Sequence, residues 1–364
     1  MLDLTTIFRG LQRQLFPALT EELGELSDLD KEFCAAISLS DLGRFTADYE
    51  WCGNGCPPRS RVWLAHAFIA KEVYQFSSTS ALIEALRSSP MLRGLCGWEC
   101  RSQVPHYSTF SRAFTRFAAD KMPTRIHENM VKVHAGKKLV GHVSRDSTAI
   151  EVPEKPVPKP TRPPKVPGQR GRKKKGEVPP PTPPTRLDLQ PTRKLEANLA
   201  DLPAYCNVSS KRNSKGHQES WIGYKLHLDT IDGDIPVSAI LTSASLHDSQ
   251  VAIPLAQMTN ERVTSCYDLM DGAYHSAQIR AFSRSLGHVP IISPNKRSGK
   301  NVVPLDPAQT ERYKERSASE RVNSLLKQRY GGQTVRVRGA SKVMCHLMFG
   351  LIALTAKAFF ARIC

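Results

Sequence analysis

Four side chains in the last third of the sequence stand at spacings suited to phosphate chemistry. Placed on a helix at 100° per residue, Tyr313, Arg316, Glu320 and Lys327 fall at about 0°, 300°, 340° and 320°, within one sector of roughly 60°. A face carrying a phenol, a guanidinium, a carboxylate and an ammonium is ill suited to core packing and well suited to holding a phosphate beside a metal ion. Arginine binds phosphate bidentately, lysine acts as a point charge, and tyrosine offers a hydroxyl and a stacking ring. Phosphodiester chemistry with two divalent ions needs a cluster of carboxylates, because hard Mg²⁺ or Mn²⁺ takes oxygen ligands and the ions sit roughly 3.5–4 Å apart. Asp146 follows the apolar stretch from Leu139 to Val143, and Asp271 ends a strand predicted from Cys266 to Met270. Gly272 then lets the backbone turn tightly away. Neighbouring strand ends bring two such carboxylates together, with Glu320 as the third candidate. Asp268 stands three residues before Asp271, a step that points it to the opposite face of a strand. His247 and Asp248 are open to a role in orienting DNA or a metal ligand, but read first as a structural turn in which Asp248 caps the following helix. Cys52 with Cys56, and Cys96 with Cys100, have spacings open to structural zinc and equally open to buried free thiols.

These residues need elements to position them. Residues 1–138 show only helix-like patterns, such as Leu11, Leu15, Leu19 and Leu23, then Val62, Leu64, Ala65, Phe68 and Val73. In this all-α segment, Pro105-His106-Tyr107-Ser108-Thr109 predicts a helix capped by Ser108 that shows Arg112 and Arg116 beside an apolar face. That arrangement suits the recognition helix of a helix-turn-helix unit, and equally a structural helix with solvated arginines. Residues 139–151 read as a first strand. Residues 152–217 hold over half of the chain's 26 prolines and the run Arg170-Gly171-Arg172-Lys173-Lys174-Lys175. This stretch is expected to form no packed core, and is either a solvated linker or a flexible arm whose Arg170 and Arg172 follow a phosphate backbone. From residue 218 to 364 the pattern becomes α/β. Strands from Trp221 to Thr230 and from Ile235 to Thr242 flank the turn Asp232-Gly233-Asp234 as a hairpin. A helix from Ser249 to Met258, the Cys266 strand, a helix from Ala277 to Ser285, a strand from Val289 to Ser293 and a long helix from Glu311 to Tyr330 follow. The fold class is α+β, and the strand–helix order matches a ribonuclease-H-like mixed sheet with flanking helices. The apolar run Leu347 to Phe360, interrupted by Lys357, is shorter than a membrane span and reads as a buried core helix.

The 364 residues carry a formal net charge of +17, with 40% hydrophobic and 23% charged residues. Such an excess favours a polyanionic partner, nucleic acid above all, and no basic amphipathic helix points to a membrane surface. Nine cysteines form no small-domain disulfide framework, and a cytoplasmic setting is expected.

The spacing Tyr313, Arg316, Glu320, Lys327 resembles the signature of bacterial insertion-sequence transposases with a DDE catalytic triad. Arg145-Asp146-Ser147-Thr148, Gly223-Tyr224-Lys225-Leu226-His227, Leu246-His247-Asp248-Ser249-Gln250 and Asp271-Gly272-Ala273-Tyr274 add to the resemblance. So does Pro105 to Phe117, which is similar to the Pro-x-x-Ser-Thr element of that family's N-terminal domain. The resemblance implies that Asp146, Asp271 and Glu320 ligate two Mg²⁺ ions, for which Mn²⁺ substitutes. Water and then a 3′-hydroxyl attack phosphodiesters at the transposon ends, while Tyr313, Arg316 and Lys327 hold phosphates and terminal bases. It also implies double-stranded DNA as partner, a homodimer on paired ends and a nucleoid-associated, cytoplasmic protein. Some relatives carry a β-rich insertion between the second aspartate and the glutamate, whereas 48 residues separate Asp271 from Glu320 here and the insertion follows the first aspartate. Two other readings remain open at the sequence level: a host metal-dependent nuclease of the same fold, and an inactive descendant that binds terminal repeats as a repressor.

Overall fold

The computed structural model of the chain describes residues 26–49, 53, 57–158, 183–212, 216–294 and 303–362. The N-terminal part is helical: α1 (Asp28–Ser40), α2 (Arg61–Val73), α3 (Thr79–Ser88), α4 (Pro90–Cys96), α5 (Tyr107–Ala119) and α6 (Met122–His134). Serine caps start several of them, with Ser27, Ser60, Ser78 and Ser89 each accepting a first-turn N–H. In α5 the cap is His106, not Ser108: His106 Nδ1 accepts from the Ser108 N–H at 3.3 Å. Phe110, Ala113 and Phe117 of α5 are buried, whereas Arg112 and Arg116 face solvent. The Leu11 to Leu23 pattern lies outside the described residues.

One mixed sheet follows, built from β1 (Leu139–Glu151), β2 (Asn207–Arg212), β3 (Gln218–Ile231), β4 (Ile235–Ser243), β5 (Thr264–Met270) and β6 (Val289–Ile292). Strand β1 lies at the centre, antiparallel to β3 and parallel to β5, which is parallel to β6. The long β3 pairs with β2 along its first half and with β4 along its second. The β3–β4 turn places Gly233 at φ +80° and Asp234 at φ +61°, a left-handed pair that glycine and aspartate tolerate best. Helices α9 (Ser249–Asn260) and α10 (Ala277–Ser285) make the crossovers, and α11 (Pro307–Tyr313), α12 (Ser317–Arg329) and α13 (Ala340–Phe360) complete the fold. The order β4-β3-β1-β5-β6 with flanking helices is ribonuclease-H-like, as the element order implied.

Part of the proline-rich stretch is folded, which corrects the expectation that residues 152–217 form no packed structure. Residues 186–212 contain α7 (Arg186–Leu189), α8 (Leu195–Asp201) and strand β2. Leu195, Leu199 and Leu202 pack with Leu246, Val251 and Leu255 on and before α9. Buried Asn198 donates through Nδ2 to the Gln190 carbonyl and to Gln257 Oε1, both at 2.9 Å, which ties this segment to α9. Arg170 and Arg172 lie outside the described residues.

Helix α13 runs through the middle of the molecule and touches α1, α2, α5, α6 and β4. Its run of apolar residues starts earlier than expected. Its 21 residues include an 18-residue window of mean hydropathy 1.8, long and apolar enough to cross a membrane, but 78% of that window is buried inside the protein. Phe349 packs with Phe68, Phe114 and Phe117, so N-terminal helices and sheet share one hydrophobic core.

Candidate active site

Strand β1 is anchored beside Asp146 by a buried ion pair. Arg145 donates to Asp229 Oδ1 through Nε at 2.8 Å and to Oδ2 through Nη2 at 2.7 Å, with both side chains almost wholly out of solvent. Thr259 Oγ1 donates to the same carboxylate at 2.6 Å. Burial alone would lower the Arg145 pKa, but the Asp229 and Asp268 charges outweigh it and the group stays protonated. This fork ties β1, β3 and α9 together.

Alternation along β1 turns Asp146 away from that pair and into a cleft of about 910 Å³ that Asp248 and Asp271 also line. Burial pushes the Asp146 pKa up to about 6; Arg316 and the Ser147 N–H oppose this, and the charges of Asp271 and Asp248 add to it. Asp271 ends β5 and accepts the Ala273 N–H at 2.9 Å, which holds its carboxyl at the strand end. Asp268, by contrast, is buried against α10, accepting from Ser283 Oγ at 2.5 Å and lying 3.2 Å from His288 Nδ1. Its side chain is no part of the cleft wall.

Asp248 stands at the N-cap position of α9, but its side chain makes no capping hydrogen bond. His247 Nδ1 accepts the Ser249 N–H at 3.3 Å, and the Asp248 carboxylate instead accepts from Lys225 Nζ at 2.8 Å. Burial works against the charged form of Asp248, but His227, Lys225 and a Ser147 hydrogen bond hold it below the usual carboxylate range. Beneath these acids, the wholly buried Tyr274 hydroxyl makes no hydrogen bond, and burial with the charges of Asp248, Asp146 and Asp271 pushes its pKa well above normal. Lys225 and Asp248 line the cleft and Tyr274 lies beside it; of these, Asp248 is the one the sequence offers as a candidate, though it reads there first as part of a structural turn. Their signal was present in the Gly-Tyr-Lys-Leu-His, Leu-His-Asp-Ser-Gln and Asp-Gly-Ala-Tyr segments.

The single helix expected from Glu311 to Tyr330 is two helices joined by a 3₁₀ turn, Lys314–Arg316. Arg316's carbonyl accepts from Ser319 Oγ at 2.9 Å and from Ser144 Oγ at 3.0 Å, which pins the turn to β1. A tighter turn changes the angle per residue, so one helical wheel does not describe Tyr313 to Lys327. Arg316 still reaches the acids: Nη2 lies 3.6 Å from Asp146 Oδ1, and Nη1 lies 2.5 Å from Glu320 Oε1. Asn323 Nδ2 donates to Asp146 Oδ2 at 3.2 Å. Glu320 is 60% exposed and joins the cleft through Arg316 rather than by lining it. Tyr313 is half-buried, and burial raises its pKa while Arg316 and a Ser293 hydrogen bond oppose that. Lys327 lies further along β1, in a smaller hollow of about 270 Å³ with Ala149 and Glu151.

No group of three or more His, Cys, Asp or Glu among the described residues stands in metal-holding geometry. The donors nevertheless suit a hard cation. Three aspartates crowd one cleft, one of them strained toward its neutral form, and a buried hydroxyl lies unpartnered beneath them. Cys96 is buried in the core and Cys100 is exposed with its Sγ 3.1 Å from Ser102 Oγ, while Cys52 and Cys56 lie outside the described residues.

Comparison with known proteins agrees with this geometry. A family model described as Transposase DDE domain matches residues 142–356, and one described as Transposase domain (DUF772) matches residues 21–116. No curated protein and no solved structure matches. The first match spans β1 to α13, the cleft with Asp146 and Asp271, and Arg316 with Glu320, and on that basis the chain belongs to the family of DDE transposases.

Proposed function

We propose that this transposase binds the terminal repeats of its insertion sequence as a homodimer on DNA and catalyses cleavage and strand transfer, with Asp146, Asp271 and Glu320 holding two Mg²⁺ or Mn²⁺ ions. The observation that carries the reading is the shared cleft: Asp146 and Asp271 converge from β1 and β5, and like charge with burial lifts the Asp146 pKa to about 6. Divalent ions bound there would lower the pKa of the attacking water or 3′-hydroxyl and stabilise charge on the phosphate.

The chain's own residues do the rest. Arg316 balances Asp146 and Glu320 until a DNA phosphate draws its guanidinium away, which frees both carboxylates as ligands. Asn323 orients Asp146 by donating to Oδ2, and the pinned 3₁₀ turn fixes where Arg316 and Tyr313 emerge. Lys225 holds Asp248 in place beside the reacting phosphate. Tyr313 and Lys327 grip the flanking nucleotides. Arg112 and Arg116 on the exposed side of α5, together with Arg170 and Arg172, hold the DNA outside the cleft; Arg116 exchanges its Asp120 partner, 2.8 Å away, for phosphate.

The test is cleavage of labelled DNA carrying the element's own ends, at fixed salt with Mg²⁺ or Mn²⁺, comparing wild type with Glu320→Gln and Asp271→Asn. The expected result is cleavage and joined products from wild type, and neither from the variants, which still bind. Cleavage by both variants overturns the assignment. Cleavage without joined products reduces the activity to hydrolysis, and end binding without any cleavage by wild type identifies a repressor.

A further inference from the structure

The folded end of the basic insert reaches the candidate active site. Strand β2 pairs antiparallel with the start of β3, with Ser209 opposite Trp221 and Lys211 opposite Glu219. Ser209, Ser210, Lys211, Gln218 and Trp221 line the same 910 Å³ cleft as Asp146 and Asp271. One wall of that cleft is therefore made by β2 and the start of β3, with Ser209, Ser210 and Lys211 contributed by the folded end of the insert. The wall is polar and basic where the floor is acidic.

The basic wall continues. The cleft meets the smaller hollow containing Lys327 at Ala149, so the two form a continuous surface along β1 from Asp146 to Glu151. The five steps of strand from Asp146 to Glu151 span roughly 17 Å, about the rise of five stacked nucleotides at roughly 3.4 Å each. Burial lowers the Lys327 pKa, and the positive charge of Lys211 lowers it further, with Glu151 opposing. Lys211 and Lys327, from unrelated elements, thus line adjoining parts of one surface, where a phosphate backbone running along β1 would meet both positive charges. Lys211 is 58% exposed, and its partner Glu219 lies 3.9 Å away at the surface, so the ammonium is free to turn toward a ligand.

We propose that the β2–β3 hairpin is a wall of the DNA path, in which Lys211 and Lys327 together hold backbone phosphates of the strand whose reacting phosphate lies at Asp146 and Asp271. The insert is then part of the DNA-binding surface rather than a spacer, and Lys211 is a binding residue. This rests on the transposase reading above, since it takes DNA as the ligand of the cleft.

The experiment is fluorescence anisotropy of a labelled duplex carrying the element's own end, titrated with full-length protein in EDTA over a series of salt concentrations. Each phosphate neutralised contributes about 0.9 to the slope of log affinity against log salt. Lys211→Gln should reduce the slope by about 0.9 without changing the melting temperature. Glu219→Gln, which removes the competing carboxylate, should tighten binding at every salt concentration. A role for Lys211 in hairpin stability alone would move the melting temperature and leave the slope intact, which overturns the proposal. So does an unchanged slope in Lys211→Gln when wild type binds. If wild type fails to bind the end at all, the transposon-end reading itself falls, which the wild-type titration shows before any variant is compared.

Discussion

Replacing Asp146 with asparagine should stabilise the metal-free protein while destroying its activity. The carboxyl pKa rises from 3.8 to about 6 because the group is buried and faces Asp271 and Asp248. A rise of about two units is worth about 3 kcal/mol. The sign follows from proton binding: between those two values the folded protein binds more protons than the unfolded chain, so stability falls as pH rises through that window. Above about pH 6 the full cost is present, and below about pH 4 it vanishes. With an unfolding entropy near 2.1 cal/mol/K per residue, 364 residues give about 0.76 kcal/mol/K, and 3 kcal/mol becomes a shift of about 4 °C. Differential scanning fluorimetry in EDTA should therefore find Asp146→Asn about 4 °C above wild type near pH 7 and equal to it near pH 4. Adding Mg²⁺ to about a hundred times its Kd should stabilise wild type by about 2.7 kcal/mol and leave the variant unmoved. A variant no more stable than wild type at neutral pH, or stabilised equally at both pH values, would refute the account of Asp146 as a strained carboxylate awaiting a cation.

Three further outcomes follow from the packing. Arg145→Leu leaves Asp229 buried without its guanidinium and should cost about 3–5 kcal/mol in urea unfolding; a loss below about 1 kcal/mol would mean that the pair does not anchor β1. Gly223→Ala would place a Cβ 2.1 Å from the Ile150 carbonyl at a residue with φ +150°, so the β1–β3 register should break, and a melting temperature equal to wild type would contradict that. Phe349→Ala empties a site shared by α2, α5 and α13 and should cost about 3–5 kcal/mol in one cooperative transition. Two separate melting steps would show that the N-terminal helices and the sheet do not share a core.

Local rules were enough for the elements. Period-two and period-3.6 patterns with their caps and glycine turns located β3, β4, α9, β5, α10 and β6 to within a few residues, because those signals act between near neighbours in the chain. The family was legible for a related reason: its motifs keep fixed local spacing. Tertiary structure decided what lies between distant residues. The leucines of α7 and α8 were hidden in a proline-rich average, and it is α9 with its neighbouring elements that offers them a surface to bury against. Ser144, far away in sequence, helps pin the 3₁₀ turn that splits the long helix. Asp248 faces the cleft rather than capping its helix because Lys225 on β3 takes its carboxylate. Arg316 sits between Asp146 and Glu320 because α12 packs on β1. Each of these depends on through-space charge or burial among residues well separated in the chain, and no local pattern encodes such distances.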